Sequence, residues 1–416
     1  MHGSETGVAV SEASKQFSLL RMLNPEVLAE PHALYRRLRE YEPVHWDPYM
    51  HAWVVTGYPD AIDVLMNYSA NRIPTPAYLD RLGLSFMKPF SEMMLRQMMF
   101  MDGTAHTHLR NICAAAFTPR KVEELRGAIE SIANQLLDKV ADKGQMDLVA
   151  DFANPLPAIV TARLLGVPAQ DHAQLHAWVL DLAEYLGNFQ HDPNRVVEIL
   201  RSLERLTEYI SGKMAEQQGT CPRRGLINAL MLAEVDGSRL SHEEVIANTI
   251  ITLIGGHETT TNLIASGFLT LLRNPDSLEQ LRSHPEIAPS AIEELLRYES
   301  PVQHTARIAP ADMCLGGKQI AAGARVVTVL AAANRDPSRF SDPDRLHLQR
   351  SDNRHLAFGW AAHFCFGAAL ARLEGQIAFN TLLRRLGHPE IASNDLEWRQ
   401  NAGLRGLTRL QIGFDS

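Results

Sequence analysis

The chain has 416 residues, of which 45% are hydrophobic, enough to build a large core without a repeat or a linker. A formal net charge of −8 argues against nucleic acid as the main partner, although local basic patches remain able to dock an acidic protein. Four cysteines (Cys113, Cys221, Cys314 and Cys365) are too few for a disulfide framework at this length and suit a reducing compartment.

The first residues, Met1-His2-Gly3-Ser4-Glu5-Thr6, have neither a basic nor an apolar region, so no secretory leader is expected and the cytoplasm is the expected location. Residues 1–20 are expected to be a poorly ordered extension. A short helix follows Pro31, over 31–41, and Val54-Val55-Thr56 reads as a strand. Residues 72–101 are rich in Pro and Met, which suits either core filler or a pliable lid over a pocket. Helices are expected over 119–140, 155–166, 171–186, 193–218, 241–272, 276–284 and 287–298. Short strands fit 313–331, with Gly316-Gly317 marking a turn, and again 397–414. The pattern is mainly α with a small β portion.

Residues 245–272 are largely apolar, but Asn248, His257, Glu258 and Asn262 interrupt them, which argues for a buried helix and against a membrane span. Ile251, Gly255, Thr259 and Leu263 fall on one helix face at i+4 spacing. Two adjacent glycines inside a helix each cost about 1 kcal/mol against alanine. On residue chemistry alone, Glu258 and Thr259 could equally be a polar patch on a helix.

Cys365 lies in Phe358-Gly359-Trp360-Ala361-Ala362-His363-Phe364-Cys365-Phe366-Gly367, just before a long amphipathic stretch. Backbone N–H groups at a helix start favour a thiolate, and flanking aromatic rings exclude water. A lone cysteine is more often a small buried hydrophobe than a ligand.

The segment resembles the haem-binding loop of the cytochrome P-450 family, Phe-Gly-x-Gly-x-His-x-Cys-x-Gly. It matches at Phe358, Gly359, His363, Cys365 and Gly367 and departs at Ala361, where the family has glycine. Three further blocks resemble the same family in the same order. They are His106-Thr107-His108-Leu109-Arg110, Gly255-Gly256-His257-Glu258-Thr259-Thr260, and Glu294-Leu295-Leu296-Arg297 followed by Phe340 to Arg345. The resemblance spans roughly residues 31–414.

It implies one haem-thiolate domain over residues 1–416, with haem b (iron protoporphyrin IX) between the long central helix and the helix after Cys365. Cys365 is then the axial iron ligand. His106, Arg110, Arg307 and His363 would face the haem carboxylates, with Phe358, Gly255 and Gly367 against the cofactor. Glu258 and Thr259 take the family's acid–alcohol role. Glu294, Arg297 and Arg345 form a structural network. Ile251, Ile254, Gly255, Gln303, Thr305 and Leu404 line the substrate pocket, with Gln303 and Thr305 as polar handles, joined by parts of 72–101 and 178–192.

The implied activity is insertion of one atom of dioxygen, by hydroxylation or epoxidation, into a medium or large apolar molecule such as a polyketide or macrolide. No dinucleotide or flavin motif is visible, so electrons from NAD(P)H would arrive through a separate ferredoxin or flavodoxin and its reductase. Three alternatives stay open: a peroxide-driven peroxygenase of the same fold, a non-enzymatic haem sensor or carrier, and a helical interaction protein without cofactor.

Overall fold

The computed structural model describes residues 16–187, 193–217, 225–393 and 395–415. The expected loose extension falls largely on residues outside this set. Among the described residues, nine α-helices are longer than ten residues: α1 Pro31–Tyr41, α2 Gly103–Ala116, α3 Arg126–Asp138, α4 Pro155–Leu165, α5 His172–Gly187, α6 Pro193–Gln217, α7 His242–Leu272, α8 Ala288–Tyr298 and α9 Ala368–Arg385. The single helix expected over 119–140 is two, Pro119–Glu123 and α3, with Glu124 and Leu125 between them. Val122 and Ile129 on either side of the break are both buried.

Helix α7 is the spine of the molecule. It begins with a capping box: Glu244 donates its N–H to the Ser241 hydroxyl at 3.1 Å, and its carboxylate accepts from the Ser241 N–H at 2.8 Å. Helices α4, α5, α6, α8 and α9 all pack against it. Two glycines permit close approaches within this bundle. A Cβ on Gly267 would lie 2.8 Å from the Phe379 ring of α9, and one on Gly375 would lie 3.0 Å from Ile292 of α8. The largest apolar core runs through these helices and also takes in Phe358, while Cys365 and Phe366 pack partly buried against it.

The β portion sits to one side. Strands β1 Val44–Asp47, β2 Ala52–Val55, β3 Thr305–Ile308 and β4 Arg325–Thr328 form one sheet in the order β1-β2-β4-β3, in which β2 and β4 run parallel. The expected turn at Gly316-Gly317 joins the hairpin Met313–Leu315 and Lys318–Ile320. Strand Gln411–Asp415 pairs with both Gly387–Ile391 and Gln145–Asp147, tying the C-terminal end to the front of α4. Residues 72–101 are less irregular than expected and carry short helices Pro76–Arg81 and Lys88–Leu95. Among the described residues, no helix is long and apolar enough to cross a membrane.

Candidate active site

The Cys365 loop is held by its own backbone. The Cys365 N–H donates to the Phe358 carbonyl at 2.7 Å, and Gly359 N–H donates to Leu356 at 2.8 Å. Gly359 has φ 70° and Ala361 φ 55°, so alanine takes the left-handed conformation for which glycine is suited. The departure at Ala361 therefore leaves the turn in place. Arg372 lies 4.7 Å over the Phe358 ring and makes two hydrogen bonds, 2.7 and 2.8 Å, to Glu293 of α8. That clamp fixes the loop to the helix bundle.

Burial is the largest influence on the Cys365 thiol and raises its pKa. The N–H groups of Gly367 and Ala368 and the charges of Arg110 and Arg372 oppose it without winning. Helix-start stabilisation is present as expected, but desolvation outweighs it in the free side chain. A metal cation that replaces the thiol proton reverses this balance.

Beside the loop, cationic and imidazole groups converge. The His106 and His363 rings are 4.2 Å apart, and His363 Nε2 is 3.5 Å from Asp102 Oδ1. Arg110 donates to the Phe364 carbonyl at 2.5 Å. Arg307 is buried and donates to the Thr305 hydroxyl at 3.0 Å and the Ala306 carbonyl at 2.9 Å. Its Nε and the Nε2 of His106 are buried without a partner. Arg72, stacked 4.6 Å over Phe100, joins them; burial, with Arg307 and Arg325 nearby, brings its pKa down to about 9. Burial likewise pulls His363 to about 4, aided by His106 and Arg307 and resisted by Asp102.

Asp102 is the carboxylate of this group, and it already accepts from Ser69 Oγ at 2.5 Å and from the N–H groups of Ala70 and Asn71. Several buried donors against one occupied carboxylate call for further negative charge. The two carboxylates of a haem would meet that need, with the sulfur of Cys365 available to its iron. The residues present fit the group. Arg72 was not found from the sequence, because only the fold brings it to Arg307.

Across α7 the burial pattern has one gap. Almost every residue from Val245 to Leu271 is buried, but Gly255 is exposed and Thr252, Gly256 and Thr259 are half-buried. These four fall at i, i+3, i+4 and i+7, one stripe of the helix. A Cβ on Gly255 would meet nothing within 4 Å. Thr259 Oγ1 donates back to the Gly255 carbonyl at 2.7 Å, a bond that bends a helix locally. Glu258 is buried beside it, its Oε1 paired at 2.5 Å with Arg399 Nη1 and its Oε2 unpartnered. Arg399 was not singled out in the sequence.

Two expectations are corrected. Gln303 is no polar handle: it is fully buried, accepts from Tyr35 at 2.8 Å and donates to the Ser300 carbonyl at 2.6 Å. Arg345 is not the third cation of the network, because its side chain is exposed and it gives Arg297 only its carbonyl, at 3.3 Å. Arg350 takes that place, donating to Glu294 at 3.1 and 3.3 Å beside the paired 2.8 Å bonds from Arg297. Ile251 and Ile254 are buried on α7, Thr305 is engaged with Arg307, and Leu404 is half-buried, bridged to Val302. The part of 178–192 expected near the pocket lies partly outside the described residues.

The cytochrome P-450 family profile matches residues 28–402. This chain is a cytochrome P-450. The polyketide biosynthesis cytochrome P-450 PksS of Bacillus subtilis is 36% identical over 394 residues, covering 92% of this chain and 96% of that relative. Among solved structures, P-450BioI in complex with hexadec-9Z-enoic acid ligated acyl carrier protein has TM-score 0.87 and 35% identity, covering 94% of this chain and 99% of that one. A myxobacterial cytochrome P-450 in complex with myristic acid has TM-score 0.85 and 37% identity, covering 95% and 99%. The fold and the monooxygenase class follow from this membership, and with them a haem cofactor and dependence on dioxygen.

Proposed function

We propose that this cytochrome P-450 inserts one oxygen atom, by hydroxylation or epoxidation, into a medium or large apolar molecule of secondary metabolism. The open stripe of α7 carries this reading. It offers two glycines and two threonine hydroxyls flanked by Ile251 and Ile254, a mostly apolar wall with few polar groups. Tyr78, Leu82, Leu84 and Phe86 expose apolar surface to solvent, which suits the lid expected of residues 72–101.

Cys365 would hold the iron, and Arg72, His106, Arg110, Arg307 and His363 the carboxylates. When bound, haem supplies the activation of dioxygen with two electrons, one atom going to substrate and the other to water. Thr259 would position an acceptor above the glycine gap, and Glu258, once it releases Arg399, would pass protons toward it. Electrons from NAD(P)H would come through a ferredoxin or flavodoxin with its reductase. The peroxygenase alternative has no use for the acid–alcohol pair, which is why it ranks second.

A carrier-tethered substrate is a second form of the same reading. It is favoured by the acyl carrier protein in the P-450BioI complex and by the polyketide setting of PksS. A spectral titration tests both forms: fatty acids, macrolides and their carrier-bound esters are added to the ferric protein. A saturable shift of the haem band by apolar ligands supports the proposal, and tighter binding of the esters supports the tethered form. Absence of any shift with apolar ligands, with shifts by small polar ones, contradicts it.

A further inference from the structure

On the side of α7 that packs against α4 and α5, at His257, the residue before Glu258, lies a small cavity that the proposed chemistry does not use. It measures about 20 Å³ and is lined by Thr161 of α4, His172 and His176 of α5, and His257 of α7, with apolar walls from Ala158, Leu175, Val179 and Leu253. That is room for about one water molecule.

The polar atoms around it lack partners. Thr161 Oγ1, His176 Nδ1, His257 Nδ1 and Asn154 Oδ1 are all buried and unpaired, and so is Glu258 Oε2. The rest of the cluster is fixed. His257 Nε2 meets the Asn154 carbonyl at 3.3 Å, His176 Nε2 meets Asn154 Nδ2 at 3.3 Å, and the two rings stand edge to face at 4.3 Å. Gly256 leaves the gap open: a Cβ there would lie 3.1 Å from Thr161 Oγ1. Buried polar atoms without partners are costly, and three of these five, on Thr161, His176 and His257, line the water-sized space, while Asn154 is bonded to both rings and Glu258 follows His257 in the chain; this argues for water. Burial, His176 and Arg399 hold His257 neutral, with its pKa down at about 3, so its free nitrogen accepts rather than repels a proton donor. The charged groups near that ring are the Arg399 guanidinium and its partner Glu258.

We propose that this cavity holds an ordered water, gripped by His176, His257 and Thr161, and that it relays protons from solvent to Glu258. His176 is half-buried, so the relay opens at the surface of α5. The water takes one proton from the solvent side and passes one on to Oε2. One proton enters for each that Glu258 releases inward, and no electrons move. The three side chains are positioning residues.

This inference rests on Glu258 as the proton donor. Its test uses the haem-loaded protein with ferredoxin, ferredoxin reductase and NADPH, reading dioxygen consumption in H2O and D2O. That readout needs protons whether it ends in product, peroxide or water. His176→Phe and the near-isosteric Thr161→Val are expected to slow consumption about tenfold and to enlarge the solvent isotope effect. Their carbon-monoxide spectra should remain those of the parent. A crystal structure of the parent should show the water within hydrogen-bond distance of His176 and His257. A dry cavity, or both variants matching the parent in rate and isotope effect, overturns the relay. If Glu258→Gln slows consumption while these two do not, the relay alone fails. If Glu258→Gln is also without effect, the assignment of Glu258 fails and takes the relay with it.

Discussion

Ala361 sits at φ 55° in the loop that presents Cys365, a backbone region that strains any residue with a Cβ. Ala361→Gly should stabilise the protein by about 1 kcal/mol, read by thermal unfolding, because relief of the left-handed strain exceeds the entropy glycine adds to the unfolded chain. Thr259→Ala should leave dioxygen consumption running while product falls and hydrogen peroxide rises; unchanged coupling would remove its assigned role. The loop of His363 and Cys365, set just before a long helix, was legible because its motif is local and contiguous. Arg72 and Arg399 were not, because each acquires its partner across the fold, Arg399 at a separation of 141 residues. Gln303 was misplaced for a related reason: its partner Tyr35 is 268 residues away and draws the amide into the core.

The helix carrying Glu294 and Arg297 braces residues 334–353, the stretch that leads to the Cys365 loop, through buried charge. Glu294 accepts from Arg297, from Arg350, from Asn353 at 3.1 Å and from the His347 N–H at 2.8 Å. Arg297 directs its remaining donors to the carbonyls of Asn334, Pro343 and Arg345. Arg350→Leu should destabilise by about 3 kcal/mol, as removal of one partner of a buried pair does. Arg345→Ala, at an exposed side chain, should change stability by less than about 0.5 kcal/mol. Denaturant midpoints of the two variants check the reassignment. The i, i+3 spacing of Glu294 and Arg297 was visible in the sequence. The choice between Arg345 and Arg350 depends on which way an irregular loop turns its side chains, and periodicity is silent there. Helix α7 was legible nearly to the residue because its capping box and apolar length are local signals.

At the scale of the whole molecule, neutral buried histidines set the acid limit. Burial holds both His257 and His304 at about 3, well below the ordinary histidine value. Between about pH 6.5 and 3 the unfolded chain binds more protons at these sites than the folded one, so stability falls as pH drops through that window. Burial pushes Glu293 up, but hydrogen bonds from Arg372 and His355 override it and hold the carboxyl at about 2, which adds a further loss below about pH 4.5. Thermal midpoints measured from pH 7 to 4 should decline, and His257→Gln should flatten the decline. A midpoint independent of pH would contradict the placement of these rings. The proposed joint role of α7, the Cys365 loop and the cationic group beside it rests on one sulfur, which would hold the cofactor. The direct measurement is the reduced carbon-monoxide spectrum of the purified protein and of Cys365→Ser. The parent should show the thiolate-ligated band, and the variant should lose it while keeping its fold by circular dichroism. A thiolate band that persists in Cys365→Ser, or a parent protein that binds no haem, would contradict the assignment.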